Sequence, residues 1–262
     1  MNDAALCAYL ATEAGALLHT LQEAGDLHNK ALGDEGDRRA NAFLCDAIRR
    51  ARPDDALLSE EEVDSAIRLT ASRVWIIDPL DGTREYREGR SDWAVHVALA
   101  IDGVAHAGAV ALPALGVTLD SANPLALQLP NEPLKMLVSR TRPAPEAIAV
   151  AALLGAELLP MGSAGAKAMA VVRGEADIYL HTGGQYEWDN CAPVAVAQAA
   201  GLYCARIDGS PMRYNNADLY LPDLLICRQS LPHWSWMHFK YTKMLVNLTI
   251  ISRPIGCTQI LT

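Results

Sequence analysis

The sequence predicts an α/β protein with mixed strands, and three observations carry the prediction. Leucines at helical spacing open the chain, two apolar runs flank an Asp102-Gly103 turn, and strand and helix patterns alternate after Pro130.

Leu6, Leu10, Leu17, Leu18 and Leu21 recur among alanines and predict a helix over 3–25. A Gly-rich polar stretch, Gly33 to Gly36, separates it from a second helix running from Asp37 to about Arg50. Ala40, Phe43, Leu44 and Ile48 face inward there, and Asp37 near the start suits the helix dipole. Arg52-Pro53-Asp54-Asp55 is a turn. Ala56–Leu58 is a short strand leading into Ser59-Glu60-Glu61-Glu62. Val74–Ile77 is the next strand and ends at Pro79, which cannot donate to a ladder. Trp93–Asp102 and Val104–Leu112 form a hairpin, and Val117–Leu127 adds a strand or two.

The Pro-rich stretch around Pro130 is the expected boundary between an N-terminal half, 1–130, and a C-terminal half, 131–232. Strands are expected at Met136–Ser139, Glu157–Met161, Ala176–Leu180 and Leu224–Cys227. Helices are expected at Glu146–Leu154, Ser163–Arg173 and Asn190–Ala200. After Asp223 there is no Asp or Glu, and Trp234, Trp236, Phe239 and Tyr241 crowd together. Residues 233–262 are therefore set apart as an atypical tail to which no function is given.

Composition narrows the function. The chain of 262 residues is 51% hydrophobic with a net charge of -9, enough for a substantial core. An acidic surface suits neither long nucleic acids nor anionic membranes, but it does not exclude a small anionic ligand, such as a small phosphorylated metabolite, held through metal ions. The six cysteines form no C-x-x-C pair and no zinc spacing, and read as buried thiols in a reducing cytoplasm. The N-terminus has no cationic and apolar leader pattern, and no uninterrupted apolar run reaches the ~18 residues of a bilayer span.

The chemistry centres on Asp78-Pro79-Leu80-Asp81-Gly82-Thr83. Two carboxylates at the carboxyl end of a buried strand occupy the place where open α/β sheets present ligands. They repel unless a proton or a cation separates them, and Mg²⁺ takes carboxylates together with phosphate oxygens. A helix starting after Asp81 aims the N–H groups of Gly82 and Thr83 at a phosphate, and Gly82 lets it approach closely. Alone, Glu60 reads as a solvated acidic turn, Asp189 and Ser163 as helix caps, and Lys167 as a surface lysine. His96 and His106, in apolar strands, read as core histidines.

The segments WIIDPLDGT (75–83), LLSEE (57–61) and EWDNCAPVAVAQAAG (187–201) resemble the inositol monophosphatase superfamily of Mg²⁺-dependent, lithium-sensitive phosphatases. Arg84-Glu85-Tyr86 after the motif, and Lys167 within GSAGAKAMAVVRGEADIYL (162–180), are similar to the 3′(2′),5′-bisphosphate nucleotidases, the CysQ group. The resemblance implies an αβαβα layered sandwich, an N-terminal α+β half and a C-terminal α/β half, with the site between them. It implies Glu60, Asp78, the carbonyl of Leu80, Asp81 and Asp189 as ligands for about two to three Mg²⁺ ions. Thr83 orients and deprotonates the attacking water, with Glu60 and Asp37 in support. Asp34 stands where the family usually has Thr. Gly162, Ser163, Lys167 and Glu187 join Asp81, Gly82, Thr83 and Asp189 as substrate contacts, with Lys167 on a second phosphate and Glu187 on a sugar hydroxyl. Lys30 is expected near the metal site, and Arg84 and Arg87 either salt-bridged or facing the ligand.

The resemblance further implies a cytoplasmic homodimer that clears a by-product of sulfate assimilation. Water attacks directly, and the 3′-phosphate of 3′-phosphoadenosine 5′-phosphate, or of its sulfated form, is released to leave AMP in the first case. An inositol-1-phosphate or fructose-1,6-bisphosphate phosphatase is the enzymatic alternative. A nucleotide sensor without turnover is the non-enzymatic one.

Overall fold

The computed structural model describes residues 1–229 and 231. The tail at 233–262 lies outside the described residues. The chain opens with α1 (Asp3–Ala24) and α2 (Asn29–Ala51). The Asn2 side chain caps α1, accepting from Ala5 N at 2.8 Å. α2 begins at Asn29 rather than Asp37, because Gly33 and Gly36 are packing residues inside the helix and not a turn. A Cβ at Gly33 would stand 2.1 Å from Arg87 Nε, and one at Gly36 3.1 Å from both Leu18 and Tyr86. Asp37 therefore lies in mid-helix, and dipole stabilisation is not its role.

The first sheet comprises β1 (Ala56–Ser59), β2 (Arg73–Asp81), β3 (Ala94–Ile101), β4 (Val104–Leu112) and β5 (Val117–Asp120), in that order. β1 and β2 are parallel and the other pairs antiparallel. The short helix α3 (Thr83–Arg87) follows β2. The second sheet has the order β7-β6-β8-β10-β9, from β6 (Lys135–Ser139), β7 (Glu157–Met161), β8 (Ile178–Tyr186), β9 (Leu202–Ala205) and β10 (Tyr220–Arg228). Its helices are α4 (Pro145–Leu154), α5 (Ala164–Val172) and α6 (Glu187–Ala199).

Alternation along each strand sorts side chains to opposite faces, and both faces of each sheet are covered. Trp75, Ile77, Val97 and Leu99 pack with α1 and α2. Val74, Ile76, Ala98 and Val110 face the other way, onto α5 and α6. From the second sheet, Leu137, Tyr179, Leu224 and Ile226 meet the same two helices. Met136, Val138, Ile178 and Leu225 turn outward onto α4. The layers thus run α1/α2, sheet, α5/α6, sheet, α4, which is the expected αβαβα sandwich. Burying one Val, Leu or Ile side chain contributes about 1.5–3 kcal/mol, so the central layer is a major source of stability.

β5 stops at Asp120, short of the expected Leu127, while β8 and β10 extend beyond their apolar cores as a paired ribbon. The short edge strand β9 carries only four residues, too few for a periodic signal. α1 is long and apolar enough to cross a membrane by length and composition, yet Leu6, Leu10, Ala14 and Leu18 are buried in the core. Asp177, fully buried, accepts from Arg228 Nε at 2.9 Å, Asn131 N at 3.0 Å and Lys135 N at 2.9 Å, tying the start of β6 to the end of β10. The described cysteines 7, 45, 191, 204 and 227 are free thiols, four of them buried.

Candidate active site

Because β1 and β2 run parallel, their carboxyl ends emerge at one edge. Glu60 follows β1 directly, its N–H donating to Ile77 O at 3.4 Å. Asp78 and Asp81 sit at the end of β2, which continues through Pro79 instead of stopping before it.

An irregularity in register makes this possible. Asp78 pairs with His96 and Asp81 with Ala94, so three steps along β2 match two along β3. That is a β-bulge, with Pro79 and Leu80 in the extra space. In a regular strand, residues three apart point to opposite faces. Here the extra residue returns Asp81 to the same face as Asp78, toward α5 and α6. Asp78 Oδ1 accepts from Leu80 N at 3.0 Å within the bulge.

α6 brings the third carboxylate. It starts at Glu187, earlier than the sequence pattern suggested, with Asp189 in its first turn. Asp189 Oδ2 accepts from Tyr186 N at 2.5 Å, so the residue caps its helix while facing the site. Oxygens of Asp78, Asp81 and Asp189 lie within 4.8 Å of one another. Like charges this close repel, and a hard divalent cation with oxygen ligands fits the donor set.

The electrostatics separate these groups. Burial pushes Asp78 well above the usual carboxylate range, and Glu60 and Asp81 add to the shift. Burial, then the charge of Asp81, pushes Asp189 up to about 7. Glu60, at the rim, is also raised to about 7, by burial of its carboxyl and by Asp81 and Glu61 beside it. Half-buried Asp37 is raised to about 7 by burial and then by Glu61. Asp81 goes the other way, down to about 2. Burial opposes its charge, but His96, Ser163 and Lys167 outweigh that.

Asp81 is held by the first turn of α5. It accepts from Ala164 N at 3.1 Å, from Gly165 N at 2.6 Å and from Ser163 Oγ. Ser163 Oγ also caps α5, accepting from Ala166 N at 2.9 Å. The Ser163-Ala164-Gly165 segment thus grips a carboxylate of the site. His96 Nε2 lies 3.1 Å from Asp81 Oδ2, and His96 Nδ1 lies 3.0 Å from Trp188 O. Trp188 O only accepts, so Nδ1 carries hydrogen. Nε2 is out of line for a hydrogen bond, and its contact to Asp81 is electrostatic: burial opposes a charge on the ring, but Asp81 outweighs it and raises the imidazole above its ordinary pKa. His96 was expected to be a core histidine; it is buried, but it works on the site. His106 is exposed instead, near the start of β4.

The turn between β2 and α3 forms where the sequence places it. Gly82, at φ 88, precedes α3, and a Cβ there would stand 3.1 Å from Ser163 Cβ and 3.3 Å from Asp92 O. Thr83 Oγ1 donates to Leu80 O at 3.2 Å. Beside the turn lies a cavity of about 530 Å³, whose lining includes Gly82, Thr83, Ser163, Arg84, Arg140 and Arg142. A larger groove of about 970 Å³ between α1 and α2 is remote from the carboxylates.

Other expected contacts are placed differently. Lys167 also lines the cavity, but it is 5% exposed and its ammonium donates to Gly162 O at 3.1 Å and to Ser163 O. Burial lowers its pKa, and it sits over the Tyr179 ring at 5.3 Å. Its charge is one of those that lower the Asp81 pKa, after His96 and Ser163. Glu187 is fully buried, accepting from Asn215 N at 2.6 Å and Asn216 N at 2.8 Å, and so holds a loop instead of facing a sugar. Lys30 pairs with Asp34 on the exposed face of α2. Arg87 is the salt-bridged arginine, 3.3 Å from Asp34, while the Arg84 guanidinium has no ion-pair or hydrogen-bond partner among the described residues.

Glu85, Asp92, Arg140 and Arg142 were missed. Glu85 and Glu88 pair with Arg140 at 2.8 and 2.9 Å, and Asp92 accepts from Gly162 N at 2.7 Å. Position in the sequence gives no sign of these links, since each joins segments more than fifty residues apart.

Comparison with known proteins agrees with this geometry. A relative from Mycobacterium leprae (strain TN), a 3′-phosphoadenosine 5′-phosphate phosphatase, is 50% identical over 247 residues, covering 88% of this chain and 91% of its own. The 3′(2′),5′-bisphosphate nucleotidase CysQ of Escherichia coli (strain K12) is 28% identical over 197 residues, covering 71% and 80%. The crystal structure of CysQ from Bacteroides thetaiotaomicron superposes with a TM-score of 0.73 at 26% identity, over 86% of this chain and 97% of that one. Residues 6–234 match the inositol monophosphatase family. With the layered fold and the carboxylates of its signature segments gathered at one edge, the chain belongs to the inositol monophosphatase family.

Proposed function

We propose that this chain is a Mg²⁺-dependent phosphatase that removes the 3′-phosphate of 3′-phosphoadenosine 5′-phosphate, giving AMP and phosphate in sulfate assimilation. The observation that carries the reading is the convergence of Asp78, Asp81 and Asp189 within 4.8 Å beside a cavity lined by arginines. The half-identical mycobacterial relative supports the choice of substrate.

Glu60, Asp78, Asp81, Asp189 and the carbonyl of Leu80 would hold the cations, in the proposed number of about two to three. When bound, Mg²⁺ supplies Lewis-acid cover for phosphoryl charge and favours hydroxide over water. The rest is the work of the protein's own groups. Thr83 Oγ1 spends its hydrogen on Leu80 O, which leaves its lone pairs to accept from the attacking water. The N–H groups at the start of α3 face the phosphoryl oxygens from the Gly82 side. Asp81 stays ionised because α5 and His96 stabilise its charge. The same reading takes the protein as a cytoplasmic homodimer whose turnover lithium inhibits.

Phosphate release with Mg²⁺ from 3′-phosphoadenosine 5′-phosphate, inositol 1-phosphate and fructose 1,6-bisphosphate, measured side by side, tests it. The bisphosphate nucleotide is expected to be fastest. Faster release from inositol phosphate would overturn the substrate, and tight nucleotide binding without release would overturn the enzyme.

A further inference from the structure

The cavity beside the phosphate turn has a charge pattern that the carboxylate cluster does not explain. Four cationic side chains line it: Arg84, Arg140, Arg142 and Lys167. Two of these are satisfied within the protein. Arg140 is spent on Glu85 and Glu88. Lys167 points its ammonium at the carbonyls of Gly162 and Ser163. Arg84 and Arg142 are exposed, and neither guanidinium has an ion-pair or hydrogen-bond partner among the described residues. In a protein with 31 acidic and 22 basic residues, two unpaired arginines from separate segments meet in one cavity. One lies in the first turn of α3 and the other in the loop between β6 and α4.

We infer that Arg84 and Arg142 form the subsite for a second phosphate of the substrate and set the preference for a bisphosphate over a monophosphate. This rests on the proposed phosphatase reading and adds the residues that choose the substrate. Position supports it: the cavity shares Gly82 and Thr83 with the turn that receives the reacting phosphate, so an ester held at the carboxylates extends directly into it. Size supports it as well, since about 530 Å³ holds far more than one phosphate and matches a small-molecule pocket. The chemistry favours arginine for the task, because a guanidinium fork binds a phosphate through two parallel N–H donors and stays charged at every working pH. The second phosphate therefore belongs to this arginine pair, and the buried Lys167 contributes only background charge.

The test compares 3′-phosphoadenosine 5′-phosphate with adenosine 3′-phosphate, which carries the same scissile ester and lacks the second phosphate. Kinetics are run on the full chain with Mg²⁺ for wild type, Arg84→Gln, Arg142→Gln and the double variant. Each single change is expected to lower the ratio of kcat/KM for the two substrates about 10-fold, and the double about 100-fold, mainly through KM for the bisphosphate. Inhibition by the product AMP should weaken in parallel, while inhibition by adenosine should not. Both side chains are exposed and unpartnered, so thermal melting should be unchanged. A ratio within threefold of wild type in the double variant would overturn the inference, as would a wild type that turns over both nucleotides equally. Failure of wild type to release phosphate from either nucleotide would instead overturn the phosphatase reading on which it rests.

Discussion

His96 and Gly165 are fitted to each other: a Cβ at position 165 would stand 2.0 Å from His96 Nε2. The glycine lets a buried imidazole stand 3.1 Å from Asp81 while its other nitrogen reaches Trp188 O. One ring thereby fixes two site carboxylates relative to each other, Asp81 directly and Asp189 through the backbone next to it. His96→Ala and Gly165→Ala are each expected to lower Mg²⁺ affinity or turnover about 10- to 100-fold, the usual cost of losing a group that orients a ligand. Phosphate release titrated with Mg²⁺ checks this. Unchanged Mg²⁺ dependence in both variants would leave His96 as packing alone.

Asp78→Asn separates charge from shape. Burial, then Glu60 and Asp81, push the Asp78 carboxyl well above the usual carboxylate range, and an amide of nearly the same shape can still accept from Leu80 N. The metal-free melting temperature should stay within about 2 °C of wild type, less than 1 kcal/mol of stability produces in a chain of this length. Mg²⁺-dependent phosphate release should disappear. Near-normal rates would remove Asp78 from the mechanism.

Proton release should accompany cation binding. Glu60, Asp37 and Asp189 are all raised to about 7 from carboxylate values near 4. With folded pKa values above unfolded ones, the native state binds more protons between about pH 4 and 7, and metal-free stability falls as pH rises through that window. A cation needs its proposed ligands Glu60 and Asp189 ionised, so the gain in melting temperature on adding Mg²⁺ should be larger at pH 8 than at pH 5.5. Paired melts at the two pH values read this directly, and equal gains would mean that the carboxyls are not protonated in the metal-free protein.

Away from the site, Asp177→Ala should be among the most destabilising changes in the second sheet. It strips Arg228, 2% exposed, of its buried carboxylate and leaves Asn131 N and Lys135 N without their acceptor. Breaking one partner of such a pair costs about 3–5 kcal/mol. Denaturant unfolding measures it, and a loss below about 1 kcal/mol would show that water replaces the carboxylate.

Much of this was legible in the chain because it depends on local pattern. Apolar alternation located the hairpin of β3 and β4, and the α4, β7 and α5 segments fell close to where periodicity put them. The motif with Asp78, Asp81, Gly82 and Thr83 announced its turn through residue types with few other uses. Gly33 and Gly36 misled because a glycine that admits Arg87 or Tyr86 is indistinguishable in sequence from one that ends a helix. Lys167 and Glu187 misled because an ionisable side chain in a motif suggests a ligand, whereas backbone groups satisfy both here. The pairing of Arg140 with Glu85 and the hold of Asp92 on Gly162 N carry no local signal, since those partners become neighbours only after the sheets stack.

The misfit between β2 and β3 has one more effect. A flat strand presents two acids on one side most simply at a spacing of two, but every peptide group between them is then engaged by its neighbours. The spacing of three leaves Pro79 and Leu80 with no partner across the sheet, so the Leu80 oxygen stands outside the ladder between the acids and accepts from Thr83 Oγ1. Shortening the motif by one residue would keep both acids on their side and remove that oxygen, trading an oxygen-rich cage for a bare anionic pair.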